Sequence, residues 1–150
     1  MVHTDTVNDI VITPAKLDDI DTLFRWGEEN WELWGDDKYK WFSKASLTKW
    51  LKDPKDDVLL VARKSGIPIG MFMVLTLRDW AFGVGLFIQK EYRRLGLAKR
   101  LLDEATRRLK EKGVESMILL VDTKNEAGIA FYKREKFYQG YPFFMMTKVL

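Results

Sequence analysis

From Ala81 to Val121 the chain reads as an apolar strand, a short loop rich in backbone donors, an amphipathic helix and a second apolar strand, and this stretch restricts the fold more than any other. Ala81 to Ile88 forms the first strand, and Gln89-Lys90-Glu91-Tyr92-Arg93-Arg94-Leu95-Gly96 follows it. Leu97, Ala98, Leu101, Leu102, Ala105 and Leu109 then fall at helical apolar spacing. Ser116 to Val121 is a continuous apolar run, expected as a strand covered on both faces. Two such strands around one long helix predict a parallel pair. The loop predicts a seat for an anion, because a helix start leaves about four N–H groups without intrahelical partners and carries roughly half a positive charge. Gly96 has no Cβ, so phosphate oxygens can approach its main chain closely.

The rest of the chain supplies a sheet for that unit. Ile10 to Thr13 reads as a strand ended by Pro14, after which Asp18 and Asp19 are placed to cap a helix through Ile20, Leu23 and Phe24. Between Trp26 and Trp50 the chain interleaves Trp26, Trp31, Trp34, Tyr39, Trp41, Phe42 and Trp50 with Glu28, Glu29, Glu32, Asp36 and Asp37. That segment predicts a helix, a loop at Gly35-Asp36-Asp37, and a second helix ending before Pro54. Val58 to Ala62 and Ile67 to Leu75 read as strands joined at Ser65-Gly66, a hairpin signal, with Pro68 and Gly70 making the second start irregularly. Gly83 and Gly85 inside the strand before the anion seat permit a bulge or a close approach. A helix from Asn125 to Glu135 and a closing strand from Phe143 to Val149 complete the order βααβββαβαβ, an α/β mixed central sheet.

At 150 residues the chain suits one domain, residues 1–150, large enough to bury a core without staples. Its 25 basic and 22 acidic residues nearly balance at a net charge of +3. The basic residues fall in three separate places, which argues against nucleic acid as a partner. The absence of cysteine excludes disulfides, thiol nucleophiles and Cys-bound metals, and the single His3 lies in a polar N-terminal stretch, so no metal site is expected. Met1 to Asp9 does not read as a secretory signal, and no apolar run reaches the ~20 residues of a membrane span. The expected setting is therefore cytoplasmic, with no membrane partner.

Arg93-Arg94-Leu95-Gly96-Leu97-Ala98 resembles the acyl-CoA-binding motif of the GNAT superfamily of N-acetyltransferases, Arg/Gln-x-x-Gly-x-Gly/Ala. Downstream, Asn125-Glu126-Ala127-Gly128-Ile129-Ala130-Phe131-Tyr132-Lys133-Arg134-Glu135-Lys136-Phe137 is similar to the family's Asn-x-x-Ala-x-x-Phe/Leu-Tyr-x-x-x-Gly-Phe segment. Gly96 and Asn125 stand 29 positions apart, room for the helix, turn and strand that the family places between them. Two positions depart from the pattern. Gly128 replaces a small Ala and should loosen the helix by about 1 kcal/mol. Lys136 stands where Gly usually ends the helix in a left-handed conformation. The resemblance covers roughly residues 10 to 149 and implies the GNAT (acyl-CoA N-acyltransferase) fold, with helices on both faces of the mixed sheet.

The resemblance also implies a chemistry, acetyl transfer from acetyl-CoA to a primary amine. Main-chain N–H groups at Leu86, Phe87 and Ile88 would bind the cofactor's arm and stabilise the developing oxyanion. Arg93, Arg94, Leu95, Gly96, Leu97, Ala98 and Lys99 would hold the pyrophosphate, with the Arg93 and Arg94 side chains either on phosphate or in solvent. Asn125 matches a residue that bonds the cofactor arm and is also an ordinary N-cap. Tyr132 falls on the general acid that protonates the leaving thiolate. Some members carry a glutamate five residues before the Asn, but this chain has Leu120 there. The base is then another carboxylate, among Glu28, Glu29, Glu32 and Asp79, or a water that relays the proton. The aromatic and acidic stretch from Trp26 to Trp50 suits an ammonium-bearing acceptor, or else covers the sheet as core. The missing glutamate leaves room for a non-catalytic acyl-CoA-binding regulatory module instead, and the apolar tail from Phe143 to Leu150 would permit a homodimer.

Overall fold

The structure, a computed structural model, describes residues 5–30, 41–148 and 150. Trp31, Glu32, Trp34, the loop at Gly35-Asp36-Asp37, Tyr39, His3 and Val149 therefore lie outside the described residues. The chain divides into two compact units, Met1–Leu119 and Leu120–Leu150.

The first unit begins with a short helix α1 (Asp5–Asn8), then strand β1 (Ile10–Pro14), helices α2 (Ile20–Glu29) and α3 (Lys44–Lys52), strands β2 (Val58–Lys64), β3 (Ile67–Leu77) and β4 (Trp80–Ile88), helix α4 (Leu97–Glu111) and strand β5 (Ser116–Leu119). Ser65 and Gly66, at φ 50° and 79°, adopt the left-handed pair that a two-residue hairpin demands between β2 and β3. The five strands lie in the order β1-β2-β3-β4-β5, antiparallel except for the parallel β4–β5 pair around α4. That is the expected fold class, a mixed sheet with helices.

Alternation along the strands sends neighbouring residues to opposite faces. Leu59, Val61, Met71 and Met73 meet Leu23 and Trp26 of α2, Leu47 of α3 and Trp41 in one core cluster. The other face is covered by α4, whose buried stripe is Leu97, Leu101, Leu102, Ala105 and Leu109. Of the aromatic residues between 26 and 50, the described ones are thus core or packed against it, including Phe42 and Trp50. Gly27 makes this possible, since a Cβ there would lie inside the Trp41 indole.

Both predicted irregularities appear. The β2–β3 register jumps between Ala62–Gly70 and Arg63–Pro68, leaving Ile69 unmatched. The β3–β4 register jumps between Met73–Gly85 and Val74–Gly83, leaving Val84 as a bulge. Three expectations need correction. Asp19 does not cap α2 with its side chain; it accepts the Lys16 N–H at 2.7 Å and, at 3 % exposure, pairs with both Nη groups of Arg63 at 2.7 and 2.5 Å. Strand β5 is an edge strand and not one covered on both faces, with Ile118 50 % exposed, because among the described residues only β4 pairs with it. Lastly, the described residues 143–148 form no strand. Strand propensity needs a partner edge to act on, and among the described residues this segment has none.

The second unit holds helix α5 (Glu126–Arg134). Asn125 caps it by accepting the Gly128 N–H at 3.0 Å. Lys136 takes φ 68°, its N–H donates to the Lys133 carbonyl at 3.1 Å, and the Phe137 N–H donates to the Tyr132 carbonyl at 2.9 Å. This is a Schellman ending, formed with lysine in the left-handed position.

Candidate active site

The bulge at Val84 reorganises the end of β4. Parallel pairing with β5 runs only from Trp80–Ser116 to Gly83–Leu119. Beyond it, among the described residues, β4 pairs only with β3, through Gly85–Met73, Leu86–Phe72, Phe87–Met71 and Ile88–Gly70. The Gln89 N–H donates to the Ile69 carbonyl at 2.9 Å. Antiparallel alternation then makes Phe87–Met71 and Gly85–Met73 the hydrogen-bonded pairs and turns the N–H groups of Leu86 and Ile88 away from β3. Of the three donors expected on this strand, Phe87's is therefore used in the sheet.

A single 3-10 turn, Lys90–Tyr92, leads from β4 to the loop. Arg94 at φ 61° and Gly96 at φ 76° are both left-handed, and they bracket Leu95. Among the described residues, its two chain neighbours aside, no atom lies within 4 Å of the place where a Cβ on Gly96 would stand. The glycine answers to the backbone conformation and leaves open space above it. The α4 hydrogen-bond ladder starts with the Arg100 N–H on the Gly96 carbonyl at 3.1 Å, so the N–H groups of Leu97 and Ala98 precede it. Arg100 faces elsewhere, its guanidinium donating to the Val7 and Ile10 carbonyls at 3.2 and 2.7 Å. Lys99 reaches Asp103 at 2.9 Å.

Arg93 turns back toward the strand. Its Nε donates to the Ile88 carbonyl at 2.9 Å, and its guanidinium carbon lies 5.8 Å from the centre of the Phe87 ring. It thereby enters the wall of a cleft of about 380 Å³ between the C-terminal end of α2 and the end of β4, lined by Arg25, Trp26, Glu29, Asn30, Phe87, Gln89, Lys90, Glu91 and Arg93. Of the candidate bases, Glu29 lines this cleft and Glu28 does not. Asp79 precedes β4, a strand's length of roughly 30 Å from Gln89. Glu91 escaped the sequence reading, although its place between strand end and glycine turn was a usable signal. Arg25 and Asn30 gave no such signal, because only the packing of α2 beside β4 brings them here.

In the second unit, the Tyr132 ring packs edge-on against Phe131 and Phe137, with centroids 5.1 and 5.3 Å away. Burial pushes its phenol up to about 12. The Asn125 amide oxygen is committed to the α5 cap, and it folds over Gly128, where a Cβ would collide with it. That packing supplies a local reason for glycine at 128. No helix among the described residues is long and apolar enough to cross a membrane.

Comparison with known proteins adds four findings. The family model described as Acetyltransferase (GNAT) family matches residues 20–137. The spermidine N(1)-acetyltransferase of Thermoplasma acidophilum is 26 % identical over 144 residues, covering 85 % of this chain and 88 % of that protein. Among solved structures, an aminoglycoside acetyltransferase from an uncultured soil metagenomic sample superposes with a TM-score of 0.73 at 20 % identity, covering 94 % and 98 % of the two chains. The PaiA N-acetyltransferase of Thermoplasma acidophilum, solved with coenzyme A, gives 0.67 at 22 % identity over 84 % and 87 %.

Proposed function

Because the chain belongs to the acetyltransferase (GNAT) family, we propose that residues 1–150 act as one domain that moves an acetyl group from acetyl-CoA to a primary amine by direct attack, with Tyr132 as the acid. Acetyl-CoA supplies the activated thioester. The Leu86 and Ile88 N–H groups, turned out of the sheet, bind the arm and oppose negative charge as it develops on the carbonyl oxygen, and fixed dipoles do so without reorganising. The turn from Arg94 to Lys99 holds the diphosphate, mainly through N–H groups at Gly96, Leu97 and Ala98, with the Arg94 and Lys99 side chains adding positive charge. Asn125, whose amide oxygen is kept by the α5 cap, is assigned to the arm by its match to the family motif.

Two protons must move. The acceptor's ammonium loses one before it can attack, and Glu29 and Glu91 are the carboxylates in the α2–β4 cleft able to take it. The Tyr132 hydroxyl, kept protonated by burial, gives one to the departing sulfur. Amine acceptors also fit the relatives, whose names specify spermidine and aminoglycosides.

The observation that carries this reading is the separation of β4 from β5 at the Val84 bulge, directly before the left-handed turn at Gly96. Calorimetry with coenzyme A and thiol release from acetyl-CoA across a panel of amines test it. Gly96→Ala makes the test specific. Its methyl meets no atom of the described residues beyond its chain neighbours, so folding loses only the left-handed strain of about 1–2 kcal/mol, whereas a diphosphate seated there would be displaced. A folded Gly96→Ala protein should bind coenzyme A at least roughly tenfold more weakly, a loss of about 1.4 kcal/mol. A folded wild-type protein that takes up no coenzyme A would refute the assignment.

A further inference from the structure

We propose that the Arg93 side chain is an acceptor-binding group, and that the acceptor is an amine which also carries a carboxylate, such as an amino acid or a short peptide. This deepens the acetyltransferase reading above and rests on it. Two contacts hold the guanidinium: its Nε on the Ile88 carbonyl at 2.9 Å, and the Phe87 ring at 5.8 Å. Phe87 is itself backed by Trp26, 5.0 Å between ring centres, and Trp26 is only 2 % exposed, so the support is rigid. With Nε engaged, the two Nη groups keep their fork of N–H donors, and among the described residues they meet no carboxylate. Such a fork matches a carboxylate in two parallel bonds.

The charges around the cleft point the same way. Arg25, Lys90 and Arg93 place three cations on its described walls against the two carboxylates of Glu29 and Glu91. Glu29 faces Arg25 only at 3.9 Å, and Glu91 and Lys90 have no ion pair among the described residues. On these described walls a bare polyamine would have two carboxylates to meet and no group for the Arg93 fork. A zwitterion satisfies both signs, its carboxylate on Arg93 and its ammonium toward Glu91 and Glu29. A cleft of about 380 Å³ has room for an amino acid or dipeptide. The Ile88 carbonyl that anchors Arg93 faces the same side of β4 as the Leu86 and Ile88 N–H groups, so an anion held there leaves the amine beside the proposed thioester position.

The anion could instead be a phosphate of coenzyme A, and the experiment separates the two. Thiol release is measured with alanyl-alanine, its C-terminal amide and spermidine, using acetyl-CoA and S-acetylpantetheine, which lacks every phosphate of the coenzyme, for the wild type, Arg93→Gln and Arg93→Lys. The expected result is a kcat/KM for the dipeptide at least roughly tenfold above those for the amide and spermidine. Arg93→Gln should erase that preference by raising the dipeptide KM, with kcat changed far less and the ratio of the two acyl donors as in the wild type. Arg93→Lys should restore part of it, since lysine offers charge without the fork. A preference for spermidine, a dipeptide preference that survives in Arg93→Gln, or a loss of discrimination between the two donors would each overturn the proposal. Calorimetry with alanyl-alanine covers the case in which no amine is acetylated. Heat that depends on Arg93 would then sustain the anion site and sink the transferase reading alone, whereas its absence would sink both.

Discussion

Burial keeps the Tyr132 phenol protonated up to about 12, above its ordinary 10.0. A raised value means that the acid form persists at every pH below it and is lost only as pH climbs through it. Between pH 6 and 10 the wild type should therefore show no alkaline limb from this group. Tyr132→Phe should lower kcat by about a hundredfold or more across that whole range without changing the shape of the pH–rate profile. Full turnover in the variant would remove Tyr132 from the mechanism. Asp19 and Arg63 present the opposite case, two charges whose work is structural. Asp19 is 3 % exposed and accepts both Arg63 Nη groups, while the Arg63 Nε donates to Thr13 Oγ1 at 2.9 Å. These hydrogen bonds raise the Arg63 pKa above its already high value. Asp19→Ala leaves the half-buried Arg63 guanidinium with Thr13 but without its carboxylate and should destabilise the fold by about 2–3 kcal/mol, read from the urea midpoint. Asp19→Leu with Arg63→Met should recover most of the loss.

Helix α5 carries its own test. Lys136 at φ 68° closes the helix in a conformation that costs an L-residue about 1–2 kcal/mol, and Lys136→Gly should raise stability by about 1 kcal/mol in denaturant unfolding. The sequence already marked this position, because the pattern around Asn125 and Tyr132 expects glycine there. What was legible was local in this sense. The β2–β3 hairpin, the bulge between Gly83 and Gly85, the turn at Gly96 and the stripe of α4 each follow from a few neighbouring residues. The Asp19–Arg63 pair was not legible, since its partners lie 44 positions apart and an aspartate before a helix looks like a cap. The cleft was half legible for the same reason. Glu29 and Arg93 stood out singly, but nothing in their spacing says that the end of α2 lies beside the end of β4. Phe87 shows the remaining gap, because which N–H leaves a strand depends on register, and register is a property of two strands.

At the scale of the molecule, the family match from 20 to 137 runs through both units, while the sheet itself ends with β5 in the first. The closing strand expected from 143 to 149 shows how a long-range partner decides what an apolar segment becomes. Phe143, Phe144 and Met146 are 86 %, 95 % and 88 % exposed, so their strand-forming character is left unused in the described structure. The unmatched Val84 acts on the same scale. Because pairing with β5 stops there, at Gly83–Leu119, the rest of the strand is bonded on one side, and its alternating amides form two populations that deuterium can distinguish. In the free protein, Leu86 and Ile88 should exchange with solvent quickly while Gly85 and Phe87, on either side of Leu86, stay slow. Saturating coenzyme A should slow the fast pair and leave the slow pair as it was, so four adjacent peptide groups would record which edge of the strand is occupied.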